Sequence, residues 1–159
     1  MSGSLTPLQI AAVQQTWDIV AQNLKENGAQ FFLRFFQEYP PYKDNFKSFR
    51  QHSLEELKTS PKLRAHGSIV FHNLASVIKS LDDPDVAVII IRKIVQDHYP
   101  RGIRLQHFVN VTKTLEGFLA DAFGDKFTGD VKEGWLGVIE LLKTLMADEM
   151  NNLETASNT

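Results

Sequence analysis

Residues 60–102 read SPKLRAHGSIVFHNLASVIKSLDDPDVAVIIIRKIVQDHYPRG. Ser60-Pro61 starts a helix, with Ser as the N-cap and Pro at the first helical position, where a missing N–H loses no hydrogen bond. Asp83-Pro84 repeats the device, and Pro100-Arg101-Gly102 ends the helix that Pro84 opens. The spacing predicts helices over about 61–80 and 84–98. Leu63, Val70, Leu74 and Val77 mark the buried stripe of the first. His66 lies three residues after Leu63 and four before Val70, so it shares that stripe. Ile91 and Ile94 mark the stripe of the second, and His98 lies seven and four residues beyond them, in the last turn. Two helices joined by an Asp-rich turn therefore aim two imidazoles inward.

A histidine on an apolar face is commonly a hydrogen-bonded core residue, and that reading stands beside any ligand role for His66 and His98. No carboxylate shares their faces, and no Glu-x-x-His pair includes either. Zinc and di-iron sites want three or more protein ligands and so fit poorly. Two imidazoles amid Phe and Ile suit a metal that brings its other ligands along. Haem does, because the porphyrin supplies four nitrogens and the protein one axial histidine.

Working outward, the chain has 159 residues, the length of one domain, taken as 1–159 with a core over about 5–150. Apolar residues make up 43% and charged residues 23%, a globular composition that excludes wholesale disorder. There is no cysteine, which excludes disulfides, thiol catalysis and Cys-based zinc sites. Net charge is −2, without the basic excess expected of a nucleic-acid partner. No apolar run approaches the roughly 20 residues of a membrane span. The N-terminal MSGSLTPLQ lacks the regions of a signal peptide, and Ser2 rather than Gly comes after Met1, so no myristoylation signal is present. The expectation is a cytoplasmic protein bound neither to membrane nor to nucleic acid. Eleven Phe against two Trp and three Tyr suggest that something flat and apolar shares the core.

The rest of the chain is helical in period, giving an all-α fold of seven or eight helices. Thr6, Pro7 and Gln9 form a capping box, with Leu5 and Ile10 placed as a hydrophobic staple. A helix runs from there to about Asn23, and Glu26-Asn27-Gly28 is expected to break or bend it. A second helix carries Phe31, Phe32, Phe35 and Phe36 and ends at Pro40-Pro41. Residues 42–52 form an irregular stretch holding Phe46 and Phe49, and Ser53 to Glu56 is another capping box. A helix covers about 105–122, and Thr128 is placed to cap a last one through about Met150. The polar tail 151–159 is expected to fray.

These residues resemble the globin family over about 5–150, invertebrate intracellular haemoglobins in particular. Trp17 resembles the tryptophan of the first globin helix, and Pro40 with Phe46 the family's proline and haem-stacking phenylalanine. Phe49 matches the second aromatic of that corner. Lys62 to Gly67 with Val70 resembles the distal-histidine segment, and Ile94 to His98 with Arg101-Gly102-Ile103 the proximal one. Trp135 resembles a tryptophan of many non-vertebrate and neuronal globins. Phe32 resembles the residue at this place in neuronal globins, the stretch 124–135 and the proximal segment are similar to those globins and to cytoglobins, and the turn 82–85 resembles that of cytoglobins and some mollusc haemoglobins; in several of these relatives the distal histidine itself binds iron.

The resemblance implies haem b (iron protoporphyrin IX), with His98 as proximal ligand and its Nδ1–H on a backbone carbonyl, that of Ile94 being the candidate. His66 is implied as the distal histidine and a candidate second ligand. Phe32, Phe46, His66 and Val70 would surround the bound gas, while Ile103, Phe108 and Val111 form the far wall. Lys47, Lys62, Arg101 and Arg104 are candidates for the haem carboxylates. His52, in the corner loop, reads as solvated, and His72 falls off the buried stripe of its helix. His107, near the start of its helix, is given no ligand role but could approach the haem edge. The implied function is reversible binding of oxygen and other diatomic gases, without enzymatic turnover, in a monomer or homodimer. Ile89, Ile90 and Ile91 are consecutive, so one must leave the buried stripe. The alternative is a haem enzyme or sensor acting on nitric oxide, nitrite or peroxide.

Overall fold

Thr6 caps the first helix as expected: its hydroxyl accepts from the Gln9 N–H at 3.1 Å, and the Gln9 side chain accepts from the Thr6 N–H at 3.0 Å. This computed structural model describes residues 4–158 and contains seven α-helices. They are α1 (Pro7–Ala21), α2 (Leu24–Glu38), α3 (Leu54–Leu57), α4 (Pro61–Lys79), α5 (Pro84–His98), α6 (Leu105–Phe123) and α7 (Gly129–Ser157). Short 3-10 helices occupy Pro40–Asn45, Tyr99–Arg101 and Gly124–Lys126, and there is no strand among the described residues. Met1, Ser2, Gly3 and Thr159 lie outside them, so the reading of the extreme N-terminus stays a reading of sequence. No described helix is long and apolar enough to cross a membrane.

The helices that bear the two histidines start and stop where their caps predict. Ser60 and Asp83 accept from the N–H of Leu63 and Val86, and each has Pro at the next position. Gly102, at φ 83°, supplies the left-handed residue that ends the chain's run past His98.

Two expectations need correction. Glu26-Asn27-Gly28 does not break a helix; the break falls at Gln22 and Asn23, and these three lie inside α2. Gly28 serves a crossing instead. A Cβ on Gly28 or on Gly67 would collide with the other's backbone, so the pair lets α2 and α4 touch main chain to main chain. Asn27 donates to the Val20 carbonyl at 2.8 Å, tying α2 back to α1. The other correction is the tail, which does not fray after Met150: α7 continues to Ser157. Glu149 is 6% exposed and accepts from Gln96 of α5 at 2.7 Å and from Asn152 at 3.2 Å. Leu153 packs on the core. Thr128 occupies the N-cap position but makes no side-chain cap bond.

The core between α1, α4 and α7 is aromatic. Trp17 lies 5.5 Å from Phe71 and 6.1 Å from Trp135, ring centre to ring centre. The Trp135 indole N–H donates to Thr16 at 2.9 Å, whereas the buried Trp17 indole nitrogen has no partner among the described residues. Of the three consecutive isoleucines, Ile91 is fully buried and Ile89 is 66% exposed.

Candidate functional site

Between α4 and α5 the packing opens into a cavity of about 640 Å³, within the range of roughly 300–1,000 Å³ typical of small-molecule sites. The stripe of α4 supplies part of its wall. Val70, Leu74 and Val77 all line this space, Val70 and Leu74 half-buried and Val77, like Leu63, fully buried.

His98 and His66 both line it. The His98 Nδ1–H donates to the Ile94 carbonyl at 2.7 Å, one turn back. A carbonyl can only accept, so the proton sits on Nδ1 and Nε2 keeps a free lone pair. The ring is braced edge-on by Phe108 at 5.6 Å. His66 is held differently: Phe32, Phe46 and Phe49 meet its ring edge-on at 4.6, 5.3 and 5.9 Å. Among the described residues it has no hydrogen-bond partner, so its polar atoms remain available to a ligand. Burial in this cage pushes its pKa down to about 4; His98, whenever its own ring is protonated, and the Arg101 guanidinium add to the effect. His66 is therefore a neutral imidazole at ordinary pH.

Phe32, Phe46, Phe49, Val70, Ile94, Arg101, Ile103, Phe108 and Val111 line the same cavity. These residues and the two histidines, all named from the sequence, thus lie around one space, whatever each does there. Lys47 and Lys62 join Arg101 in the lining, which contains no carboxylate. Arg104 does not. Its guanidinium lies 4.0 Å over the Tyr99 ring and donates to the Tyr99 and Ile103 carbonyls at 3.0 and 2.9 Å. His52 and His72 are exposed, as expected, on Glu56 and the Ser68 carbonyl.

Two lining residues were not anticipated as a pair. His107 stands on the cavity wall 4.8 Å from the ring of Tyr42, and its Nδ1 accepts from the Arg104 N–H at 3.0 Å. Tyr42 is fixed in turn by Asn110, which donates to its hydroxyl at 2.6 Å. His107 precedes Val111 by one helical turn, a spacing that places both on one face of α6. Tyr42 carries no such local signal.

The donor set decides which metal chemistry fits. Among the described residues no three His, Asp or Glu gather to hold an ion. One imidazole with a fixed tautomer, a second held by phenylalanines and an apolar space between α4 and α5 suit a metal carried in an organic ring. Cations without carboxylates in the lining suit acidic groups on that ring's edge.

Comparison with known proteins points the same way. The globin family model matches residues 29–146. A globin of Nerita albicilla is 33% identical over 150 residues, covering 94% of this chain and 96% of its own. A globin of Tritia mutabilis is 29% identical, covering 87% and 96%. Hemoglobin-3 of Phacoides pectinatus is 28% identical, covering 94% and 97%.

Proposed function

The chain belongs to the globin family, and from that premise we propose that it holds haem b in the α4–α5 cavity and binds oxygen reversibly. One observation carries this reading: the His98 Nδ1–H bond to Ile94, which leaves Nε2 free on a ring that lines the cavity. The reading takes the whole chain as one domain and its task as gas binding rather than turnover.

When bound, haem would supply an iron able to take a histidine nitrogen and a diatomic gas. The chain's residues do the rest. His98 offers Nε2 to iron, and Ile94 fixes its tautomer and ring orientation. Val70, Ile103, Phe108 and Val111 exclude water from an apolar wall. Lys47, Lys62 and Arg101 meet the haem carboxylates; such exposed pairs contribute only about 0–1 kcal/mol each and orient the ring more than they hold it. His66 offers a neutral N–H to the gas. Phe32 has no donor, so His66 is the polar partner on that side.

Phe46 contributes packing. A Phe→Ala change in a core costs about 3–5 kcal/mol. Phe46→Ala should appear as faster haem transfer to an acceptor apoprotein and a lower melting temperature, and unchanged haem loss would remove Phe46 from the site.

Oxygen titration of the reduced protein, monitored by its absorption spectrum, tests the function. A reversible two-state change with isosbestic points is expected. Sustained consumption of nitric oxide, nitrite or peroxide at the same iron would replace the binding role with an enzymatic one. The pH dependence comes from His66. Its neutral form is favoured in the cage, so the ring takes a proton only well below the usual 6.5. Oxygen release should be flat between about pH 6 and 8 and accelerate as pH falls toward about 4, when the charged ring leaves the apolar cage. Stopped-flow release across that range reads it.

A further inference from the structure

Lys43 lies outside the cavity lining and takes no direct part in holding haem or gas. It sits half-buried in the 3-10 turn Pro40–Asn45. Its ammonium donates to three backbone carbonyls: His52 at 2.7 Å, Arg50 at 3.1 Å and Phe49 at 3.4 Å. An ammonium has three donors and no acceptor, so the whole group is committed to one turn of chain.

That turn is the stretch from Phe46 to His52. Internally it is held by the Phe49 and Arg50 N–H groups on the Phe46 carbonyl and by the His52 N–H on the Phe49 carbonyl. Nothing in that set reaches back to the preceding 3-10 turn beyond Phe46 itself, whose N–H donates to the Lys43 carbonyl at 3.1 Å. The inner face of the stretch carries Phe46 and the buried Phe49, two of the three rings around His66. A single charged group therefore ties down the segment that supplies most of the histidine's cage.

We propose that Lys43 is a positioning residue: its ammonium clips the 46–52 turn shut and, through Phe46 and Phe49, fixes the His66 ring at the cofactor cavity. The first half of this rests on geometry alone. The second rests on the haem-binding reading of the cavity.

Lys43→Met keeps the aliphatic stem and removes the donors, and Lys43→Arg keeps a charged, multiply donating head. Amide hydrogen exchange on the haem-loaded full chain reads the clip. In Lys43→Met the amides of 46–52 should exchange roughly ten- to hundredfold faster, the scale of a lost hydrogen bond to a charged group, with α5 and α7 unchanged. Oxygen release and haem transfer should speed up in parallel, and Lys43→Arg should restore all three. Unchanged exchange in 46–52 overturns the clip. Acceleration spread evenly over the helices overturns it too, because Lys43 would then be only a general stabiliser. A loosened turn with unaltered oxygen release and haem transfer overturns the link to His66. Should the chain fail to take up haem at all, the haem-binding reading falls, while exchange in the haem-free chain still decides the clip.

Discussion

His98→Gly should leave a folded chain that can scarcely keep haem until free imidazole is added. The substitution removes a side chain that only half contributes to the core, so the helices should persist. It also removes a cavity imidazole whose Nδ1–H is held by the Ile94 carbonyl at 2.7 Å and whose Nε2 is thereby left for a metal. Losing an outer partner of a metal ligand typically costs 10–100-fold in affinity, and losing the ligand itself should exceed that. Free imidazole can enter the space left behind and use the same Ile94 carbonyl. Haem titrations with and without imidazole measure the effect. Normal retention with an unaltered spectrum would move the ligand elsewhere, with His66 the next candidate.

The parts of this site that could be read in the sequence are those set by local chemistry. Ser60-Pro61 and Asp83-Pro84 carry their own start signals, so spacing alone places α4 and α5 and the inward faces of His66 and His98. The features that stayed hidden depend on partners far along the chain. Gly28 reads as a breaker until it meets Gly67, because a glycine's tolerance for close backbone approach shows only at the crossing. The stretch after Met150 reads as a frayed tail because Glu149 is satisfied by Gln96, 53 residues earlier on α5. In the sequence Arg104 reads as available as Arg101, yet the Tyr99 ring and two carbonyls take up its guanidinium. Tyr42 reaches the cavity only through the course of the 3-10 turn, for which no periodicity exists to read.

The expected behaviour of His66→Leu separates two ways in which the remaining imidazole can act. Ferrous haem shifts electron density onto oxygen and much less onto carbon monoxide. A neutral imidazole N–H held by Phe32, Phe46 and Phe49 has no competing partner among the described residues and can donate to that density. A hydrogen bond to a charged acceptor is worth roughly 1.5–3 kcal/mol. At a factor of ten per 1.4 kcal/mol, His66→Leu should speed oxygen release by about one to two orders of magnitude. Carbon monoxide release should change far less, because Leu fills similar space and only the donor is gone. Equal acceleration of both gases would mean that the imidazole acted by blocking the exit rather than by bonding. Oxygen release indifferent to the substitution would remove the hydrogen bond altogether. The ferrous spectrum without gas completes the test. The proposed state is high spin, with His98 the only protein ligand, in wild type and variant alike. A low-spin wild type that turns high spin in His66→Leu, with loss of a slow phase in gas uptake, would instead make His66 a second iron ligand that each incoming gas must displace.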